Sequence, residues 1–489
     1  MEPQVNNNAR KRAAAWTTLA LALGLAGCAH ITPDMHPLAK RDANSAELSA
    51  GIKLAHEGWP EVQWWTVYQD PQLNALIKQA LAAGPSLEVA AAQIGTARSA
   101  LSRSAADLGV DVSAYANANR QRYSGTGLFP APIGGAYFTD ETLRLDVRYN
   151  FDWWGKNRAQ VAAAVGELNA GRAAYADAEQ ALAAAITQSY FRLQGAWARL
   201  ANTDQLAATQ TALIQDKAKR IAHGLANADE QRAAESELSM IRKQQAQLRS
   251  DIAHEREALR ALAGADNTAL ADLKPVALSA TQTKNAALPE RLGIELLARR
   301  PDLQAARWKL EASLSTIDAA KAAFYPDVNL TGSIGLDTVK IENLLQAASR
   351  TVYFGPTLTL PLFDSKRLDA QLDSARTSRN ERIAEYNRAI VEAIREVAQD
   401  AVQLQGIEQQ IVQQSAATGT AQAQLASAQA RMQRGLANNS SVLSARLALL
   451  EQQDADLYLQ QVQLLAEVAL TNALGGGYHE EVPAATASK

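Results

Sequence analysis

Apolar and polar residues alternate strictly in four short segments of the chain, and this period of two predicts β-strands. The first two segments lie within residues 109–152 and the other two within residues 327–363. Each has about the length of a membrane-spanning strand. We therefore predict two β-hairpins with an apolar side facing lipid and a polar side, on which Arg144, Asp146 and Arg148 would line a water-filled lumen.

Long segments beside these hairpins place their apolar residues three and four positions apart, as α-helical coiled coils do. Each segment is interrupted once by a Gly-Leu pair, at Gly224-Leu225 and at Gly435-Leu436. Glycine at such a position is expected to end one helix before the next begins. We predict two long helical hairpins whose tips are these two pairs.

The second half of the chain repeats the first, since the step from Gly224 to Gly435 is 211 residues and Tyr175 and Tyr386 lie at the same offset. This internal duplication predicts the domain organisation. The predicted segments are a signal peptide 1–27, an N-terminal linker and equatorial segment 28–70, a first repeat 71–264 (β-hairpin 109–152, helical hairpin 155–264), an equatorial linker 265–289, a second repeat 290–477 (β-hairpin 327–363, helical hairpin 365–474) and a disordered tail 478–489.

The N-terminal residues are typical of a secretory signal, with basic residues at 10–12, an apolar run at 13–25 and the sequence Leu-Ala-Gly-Cys ending at Cys28. That ending is similar to the bacterial lipoprotein signal, in which the cysteine is lipidated and becomes the mature N-terminus. We expect acyl chains such as palmitate on Cys28, and a lipid-anchored outer-membrane protein that extends into the periplasm. Beyond Cys28 no run of 18 apolar residues occurs, so any membrane crossing is expected from strands.

A four-stranded sheet cannot stand alone in lipid, because unpaired backbone groups on its two edges each cost several kcal/mol. Several copies can close one sheet and remove the edges. Two copies would give eight strands, whose interior the side chains fill, whereas three copies would give twelve and leave a lumen. We predict a mainly α-helical homotrimer in which a 12-stranded transmembrane barrel continues into a periplasmic α-barrel of helical hairpins.

Composition and motifs exclude several other functions. The net charge is −3, so no basic excess would attract nucleic acid. The six histidines show no metal-ligand spacing, and neither a P-loop nor a G-x-S-x-G motif occurs. We therefore predict no enzyme, no catalytic residue, no cofactor and no metal site. Arg300-Pro301-Asp302 is interpreted as structural, with Asp302 capping the next helix.

Several motifs resemble those of one known family, in the same order along the chain. They are Trp64-Trp65 with Asp70-Pro71-Gln72-Leu73; Phe151-Asp152-Trp153-Trp154-Gly155-Lys156; Leu296-Leu297-Ala298-Arg299-Arg300-Pro301-Asp302; Phe324-Tyr325-Pro326; and Leu360-Pro361-Leu362-Phe363-Asp364. The chain resembles the TolC-like outer-membrane factors of tripartite efflux systems, in the lipoprotein branch called NodT-type. The resemblance covers nearly all of the sequence after Cys28.

This resemblance implies a fold, partners and a docking site. The fold is a trimer with a 12-stranded β-barrel, a 12-helix α-barrel and an equatorial belt. The partners are a periplasmic adaptor (membrane fusion protein) and an inner-membrane pump of the RND type, together with outer-membrane lipid. The implied adaptor contacts are Gly224, Leu225, Gly435 and Leu436 at the two tips.

The periplasmic gate departs from the family pattern. In family members acidic residues that follow the second tip often ring the closed pore, whereas here serines stand in that stretch and only the first tip keeps its carboxylates. We hypothesise a weaker closed state held by arginine pairs and apolar contacts. The candidate gate residues are Arg220, Asp229, Arg431, Arg434, Ser441 and Ser444.

The sequence therefore predicts a passive exit channel of the outer membrane that exports small molecules for a tripartite efflux pump. Two alternatives stay open: a lipid-anchored periplasmic coiled-coil scaffold without a pore, and the outer-membrane component of a type I-like secretion system. The four alternating strands favour a channel, because a scaffold has no need of a lipid-facing side.

Overall fold

The computed structural model describes residues 31–42, 59–265, 270, 272–277, 299–361 and 364–479. Within these ranges it contains four strands and long helices. The described elements are α1 Pro71–Ala83, α2 Pro85–Ala106, β1 Val110–Arg122, β2 Tyr137–Asn150, α3 Lys156–Ala222, α4 Ala228–Leu262, α5 Pro301–Ala322, β3 Asp327–Thr338, β4 Arg350–Thr359, α6 Ser365–Gln433 and α7 Asn439–Ala473. The prediction of a mainly helical chain with long helical hairpins and four strands is confirmed.

The chain divides into two compact units. The first comprises residues 1–40, 94–171 and 306–386, and the second comprises 41–93, 172–305 and 387–489. The first unit contains all four strands, and the second contains both helical tips. No described helix is long and apolar enough to cross a membrane.

The four strands of the first unit form one antiparallel sheet in the order β1-β2-β3-β4. The register pairs Leu145 with Ile334, and Ile334 with Val352. Because side chains alternate across a sheet, these apolar residues share one face. All three are exposed in a single chain. An apolar face of this extent marks a surface that contacts lipid or protein.

A sharp corner joins β2 to α3. Asp152 takes a positive φ of 44°, and its carboxylate accepts the backbone N–H groups of Asn157 (2.8 Å) and Arg158 (3.0 Å) at the start of the helix. The ring of Trp154 stacks on Tyr325 with centroids 4.6 Å apart. The Phe-Asp-Trp-Trp-Gly-Lys motif therefore ends a strand, caps a helix and holds both against the β3 hairpin.

Residues 31–40 lie along α6 in the first unit. Arg379 pairs with Asp34 at 2.6 Å, and this bond lowers the pKa of that carboxyl. One helix residue, Asn380, binds the extended backbone twice, accepting from Leu38 N–H (3.1 Å) and donating to His36 C=O (3.1 Å). Residues 31–40 are thus held on α6 by its side chains, which bind the backbone of the segment and Asp34.

The main core of the second unit lies where α1 packs on α3. Leu73, Ile77, Ile186 and Leu193 are fully buried, and burial of each such side chain contributes about 1.5–3 kcal/mol. Trp64 and Trp65 are also buried in this cluster, so the first motif of the sequence has a packing role. The Tyr190 hydroxyl donates to Asp70 at 2.5 Å, the residue that caps α1.

Arg300 is the centre of a second junction in this unit. Its guanidinium binds Asp302 at 2.8 Å and Glu396 at 3.0 Å, and donates to the carbonyl oxygen of Ala473 at 2.9 Å. The structural interpretation of Arg300-Pro301-Asp302 fits these contacts, but the predicted cap position at Asp302 is wrong. Because α5 begins at Pro301, Asp302 lies in its first turn, where its carboxylate accepts the N–H of Leu303 at 2.8 Å and also binds Arg300.

Candidate functional site

The first helical tip is a Schellman turn between α3 and α4. Leu225 N–H donates to Arg220 C=O at 2.8 Å, and Gly224 N–H donates to Ile221 C=O at 2.9 Å. Gly224 has a φ of +68°, which is strained for any residue with a Cβ. Asn227 then caps α4 by accepting the N–H of Glu230.

The second tip, between α6 and α7, has the same construction. Leu436 N–H donates to Arg431 C=O at 2.8 Å, Gly435 has a φ of +72°, and Asn438 caps α7. The side chains of Leu225 and Leu436 are 67% and 66% exposed. Each tip therefore presents one leucine to the surroundings on a rigid turn.

The two tips are linked to each other through a cluster that we name the α3–α7 latch: Asp216, Arg220, Asn439 and Ser440. The Ser440 hydroxyl donates a short hydrogen bond to Asp216, and the amide of Asn439 donates to the same carboxylate at 3.1 Å. Arg220 donates to the Ser440 hydroxyl at 3.3 Å. Ser440 is only 9% exposed, so these bonds are partly shielded from water.

The electrostatics of the latch favour an ionised Asp216. The hydrogen bond from Ser440, assisted by Asn439 and by the charge of Arg220, lowers the pKa of Asp216 although partial burial opposes this. A carboxylate with two strong donors holds them more tightly than a neutral acceptor would. The first repeat thus supplies the acid that the second tip lacks.

The candidate gate residues lie in different settings. Arg220 belongs to the α3–α7 latch, whereas Asp229 pairs with Arg232 of its own helix at 2.6 Å, on the surface. Arg431 and Arg434 are exposed, and in the described part of the chain neither forms an ion pair. The remaining two candidates, Ser441 and Ser444, are also exposed, and the hydroxyl of Ser441 donates to the cap residue Asn438 at 2.8 Å.

Sequence reasoning missed Asp216, Asn439 and Ser440 as a cluster. Asp216 precedes Gly224 by eight residues, and Ser440 follows Gly435 by five. Their proximity across more than 200 residues is a property of the packed helices. The available signal was the pair of short polar residues at the start of α7, where a buried serine would need a partner.

The polar face of the sheet carries the three candidate lumen residues on β2. Arg144 binds Asp146 at 3.0 Å and lies 4.6 Å from the ring centre of Tyr115, its partner in the register. Gly335 opposes Arg144 on β3, where a Cβ would collide with the arginine. Arg148 lies further along the same face. The structure thus brings two of the three into direct contact.

Two further predictions concern residues or ligands that the structure does not test. Cys28 and the signal segment 1–27 lie outside the described residues, so the lipid anchor stays a prediction. Among the described residues, no group of three His, Cys, Asp or Glu side chains could hold a metal ion.

Sequence comparisons place the chain among known proteins. The sequence model of a family described as outer membrane efflux protein matches residues 76–265 and 292–476. The chain is 34% identical over 462 residues to the multidrug resistance outer membrane protein MdtP of Escherichia coli K12, covering 93% of this chain and 94% of MdtP. It is 35% identical over 467 residues to MdtQ of Escherichia coli O157:H7, covering 94% and 97%.

The fold is similar to that of solved outer-membrane channels. Against the outer membrane protein VceC of Vibrio cholerae the TM-score is 0.76 with 31% sequence identity, over 86% of this chain and all of VceC. These matches confirm the predicted resemblance, the outer-membrane location and the role of an efflux exit channel. The chain therefore belongs to the outer membrane efflux protein family, whose members are transport proteins of the outer membrane.

Proposed function

We propose that three copies of the chain form the exit duct of a tripartite efflux pump. The observation that carries this proposal is the open sheet, in which β1 and β4 are edge strands and the apolar face is exposed. In lipid both edges must be paired, and twelve strands from three copies leave a lumen. Arg144, Asp146 and Arg148 would line it, since they lie on the face opposite the apolar one.

The two tips would bind the periplasmic adaptor. The exposed leucines Leu225 and Leu436 support this role, because a rigid turn that presents an apolar side chain loses little entropy on docking. The glycines Gly224 and Gly435 would approach the adaptor closely, and no atom lies within 4 Å of a Cβ added at either position. An inner-membrane pump would supply the energy through that adaptor.

The α3–α7 latch would hold the periplasmic end closed. Opening a helical duct requires neighbouring helical hairpins to separate, and the latch joins α3 of the first hairpin to α7 of the second. Hydrogen bonds to a charged group contribute about 1.5–3 kcal/mol each, which is small enough for a docked adaptor to offset. Arg431 and Arg434, free of ion pairs in the described part of one chain, would then pair between copies.

The lipid anchor bears on the location of the protein, and its relatives bear on the molecules it exports. Cys28 would carry the lipid anchor that supplements the strands in the outer membrane. The exported molecules would be small toxic compounds, as the names of the multidrug resistance relatives suggest, with the pump rather than the duct choosing among them.

The test is to purify the full-length protein from outer membranes and measure its conductance in planar lipid bilayers. We expect a heat-modifiable trimer that conducts, and dye accumulation in a strain from which the gene is deleted. A periplasmic scaffold without a pore would show no conductance in this measurement. If the variant Cys28→Ser were soluble and non-conducting yet restored dye efflux fully, the channel would be refuted.

A further inference from the structure

The apolar face of the sheet can be followed strand by strand from the register. On β1 it runs from Val110 to Ala118 in steps of two, and on β4 from Leu358 to Val352. The helices join the sheet at the end where Val110 and Leu358 lie. Because the helical part extends into the periplasm, the opposite end of the sheet faces outward.

Three arginines continue this apolar face at its outer end. Arg120 and Arg122 are the next two residues of the same face after Ala118, and Arg350 is the next after Val352. Side chains two residues apart on a strand share a face, so none of the three points to the polar side. We name Arg120, Arg122 and Arg350 the outer arginine rim.

The rim is charged and accessible. All three arginines are exposed, and none forms an ion pair within the described residues. Arg122 is positioned by a hydrogen bond of 3.2 Å to the carbonyl oxygen of Gly135, and Arg120 lies 5.7 Å from the ring centre of Tyr137. Both contacts leave most guanidinium donors unused.

One carboxylate shares this face at the same level. Glu141 of β2 is 7% exposed and pairs in the register with Ala118 and Thr338. Among the described residues it forms no ion pair with a rim arginine. Asp140 and Asp337 are neighbours in sequence but lie on the polar face. The outer end of the apolar face therefore keeps an excess of positive charge.

The inner end of the same face is of a different kind. Tyr149, Phe151 and Trp153 follow one another there, with ring centroids 5.2 and 5.6 Å apart, and no arginine lies in that row. Aromatic rings suit the headgroup level of a membrane generally. Arginines beside an apolar face suit a lipid that carries phosphate, because the planar guanidinium binds phosphate through paired hydrogen bonds.

The loops beyond the rim add apolar contacts. Leu128, in the loop between β1 and β2, is 96% exposed, and Leu345, between β3 and β4, is 86% exposed. The first loop is not loose, since Tyr123 packs edge-on against Phe129 at 5.3 Å and Phe138 at 5.8 Å. Exposed apolar side chains beyond exposed arginines form a surface complementary to an amphipathic anion.

We propose that the outer arginine rim binds the phosphate groups of the phosphorylated glycolipid of the outer leaflet, lipopolysaccharide, whose acyl chains lie against the apolar face. This proposal shares one premise with the proposed function, namely that the apolar face of the sheet contacts membrane lipid. It assigns a lipid-binding site to three arginines that take no part in the lumen, the tips or the latch.

The test measures binding of purified deep-rough lipopolysaccharide, which keeps its lipid A phosphates, to the full-length protein in detergent. Native mass spectrometry compares wild type with R120Q/R122Q/R350Q and with the control R144Q/R148Q, which changes two arginines on the opposite face of the sheet. Basic side chains near an anionic lipid surface strengthen binding to it. We expect binding at least about tenfold weaker in the triple variant and unchanged in the control.

Two further arms separate the lipid from a free anion. Enzymatic removal of the lipid A phosphates should weaken binding to wild type as much as the triple substitution does, and inorganic phosphate in excess should not displace the lipid. Equal binding by the triple variant, equal binding of the dephosphorylated lipid, or displacement by inorganic phosphate would each overturn the proposal.

Assembly is checked on the same samples by the heat-modifiable trimer band. If the triple variant fails to assemble, R350Q alone replaces it, with an expected loss of about two- to fivefold for one charge, and undiminished binding would overturn the proposal. Conductance in planar bilayers is recorded separately. A non-conducting protein that binds the lipid through the rim would refute the channel without refuting this site.

Discussion

At the scale of single residues, glycines decide where the chain can turn closely. Gly475, Gly476 and Gly477 follow α7 and all have positive φ, at 94°, 56° and 77°. A Cβ on Gly475 would overlap the carbonyl oxygen of Arg299. The second repeat can therefore end against the Arg300 junction only because this residue has no side chain.

The variant Gly475→Ala is expected to destabilise the protein. The left-handed conformation alone costs about 1–2 kcal/mol for a residue with a Cβ, and the overlap with Arg299 adds to that. The matched control is Gly419→Ala, at an open helical position of α6, which should stabilise by about 0.5–1 kcal/mol. Thermal denaturation of the purified protein measures both, and a Gly475→Ala protein as stable as wild type would contradict the close approach.

At the scale of elements, buried charge couples helices that are distant in sequence. Arg300 faces the carboxylates of Asp302, Glu396 and Asp177, so one cation serves several acids. Partial burial, with the negative charges of Asp302 and Glu396, raises the pKa of Asp177 to about 6, although Arg300 opposes the shift. Arg300 thus holds the helices of this junction together, but it also brings three carboxyl groups close enough to repel one another when ionised.

Stability should therefore depend on pH through Asp177. Its pKa in the folded state is about 6, above the value of 3.8 that the carboxyl has in an unfolded chain. Between these two pH values the folded state therefore binds a proton that the unfolded state has released. The stabilisation by that proton is complete below about pH 4 and is lost as the pH rises through 6. The variant Asp177→Asn should thus melt higher than wild type at pH 7–8 and equally at pH 4.

The control for this pH dependence is Asp229→Asn, which changes an exposed carboxylate far from Arg300 in sequence. Melting temperatures are recorded from pH 4 to pH 8 for all three proteins. A constant difference between Asp177→Asn and wild type over that range would show that the effect is steric and not protonic.

The α3–α7 latch predicts a second effect at this scale. Ser440→Ala removes the hydroxyl that bridges Arg220 and Asp216, and a hydrogen bond to a charged group is worth about 1.5–3 kcal/mol. We expect a severalfold higher conductance of the closed trimer in planar bilayers. The matched control is the neighbouring Ser441→Ala. The hydroxyl removed there donates only to Asn438, the cap residue of the same helix, so conductance should be unchanged. Equal conductance of both variants would remove the latch from gating.

At the scale of the whole molecule, one chain is incomplete. Among the residues that the structure describes, it has two unpaired sheet edges, an exposed apolar face and two exposed leucine tips, each of which would suit a further copy, a lipid or a partner protein. Three copies would bring six tips to one end of the duct. Docking is then multivalent, so a modest contact at each tip sums to stable assembly.

Replacement of both leucines should disrupt that assembly. In Leu225→Asp/Leu436→Asp each tip loses a contact worth about 1.5–3 kcal/mol when buried, without any change of the backbone turn. We expect loss of the adaptor from crosslinked, affinity-purified complexes and loss of dye efflux, with a normal trimer and normal conductance. Val412→Asp, an exposed apolar residue away from the tips, is the control and should retain the adaptor. Retention by the double variant would exclude the tips as the docking surface.

Much of this molecule could be predicted from local pattern. The period of two gave the strands and their faces, the three-four spacing gave the helices, and glycine before leucine marked both tips, because these signals depend on neighbours along the chain. The predicted cap position at Asp302 was wrong by two residues, since Pro301 is itself the first helical residue and the cap position is therefore Arg300. Helix ends depend on such single-residue effects.

The sequence by itself thus determined the elements, their periodicity, the tips and the family. Only the tertiary structure decided that Asp216 meets Ser440 and Arg300 meets Glu396, and that Arg350 lies on the same face of the sheet as Arg120. Local propensity acts over a few residues, whereas these partners are separated by about 100 to more than 200 positions. Their proximity follows from packing and strand register, which depend on the whole chain.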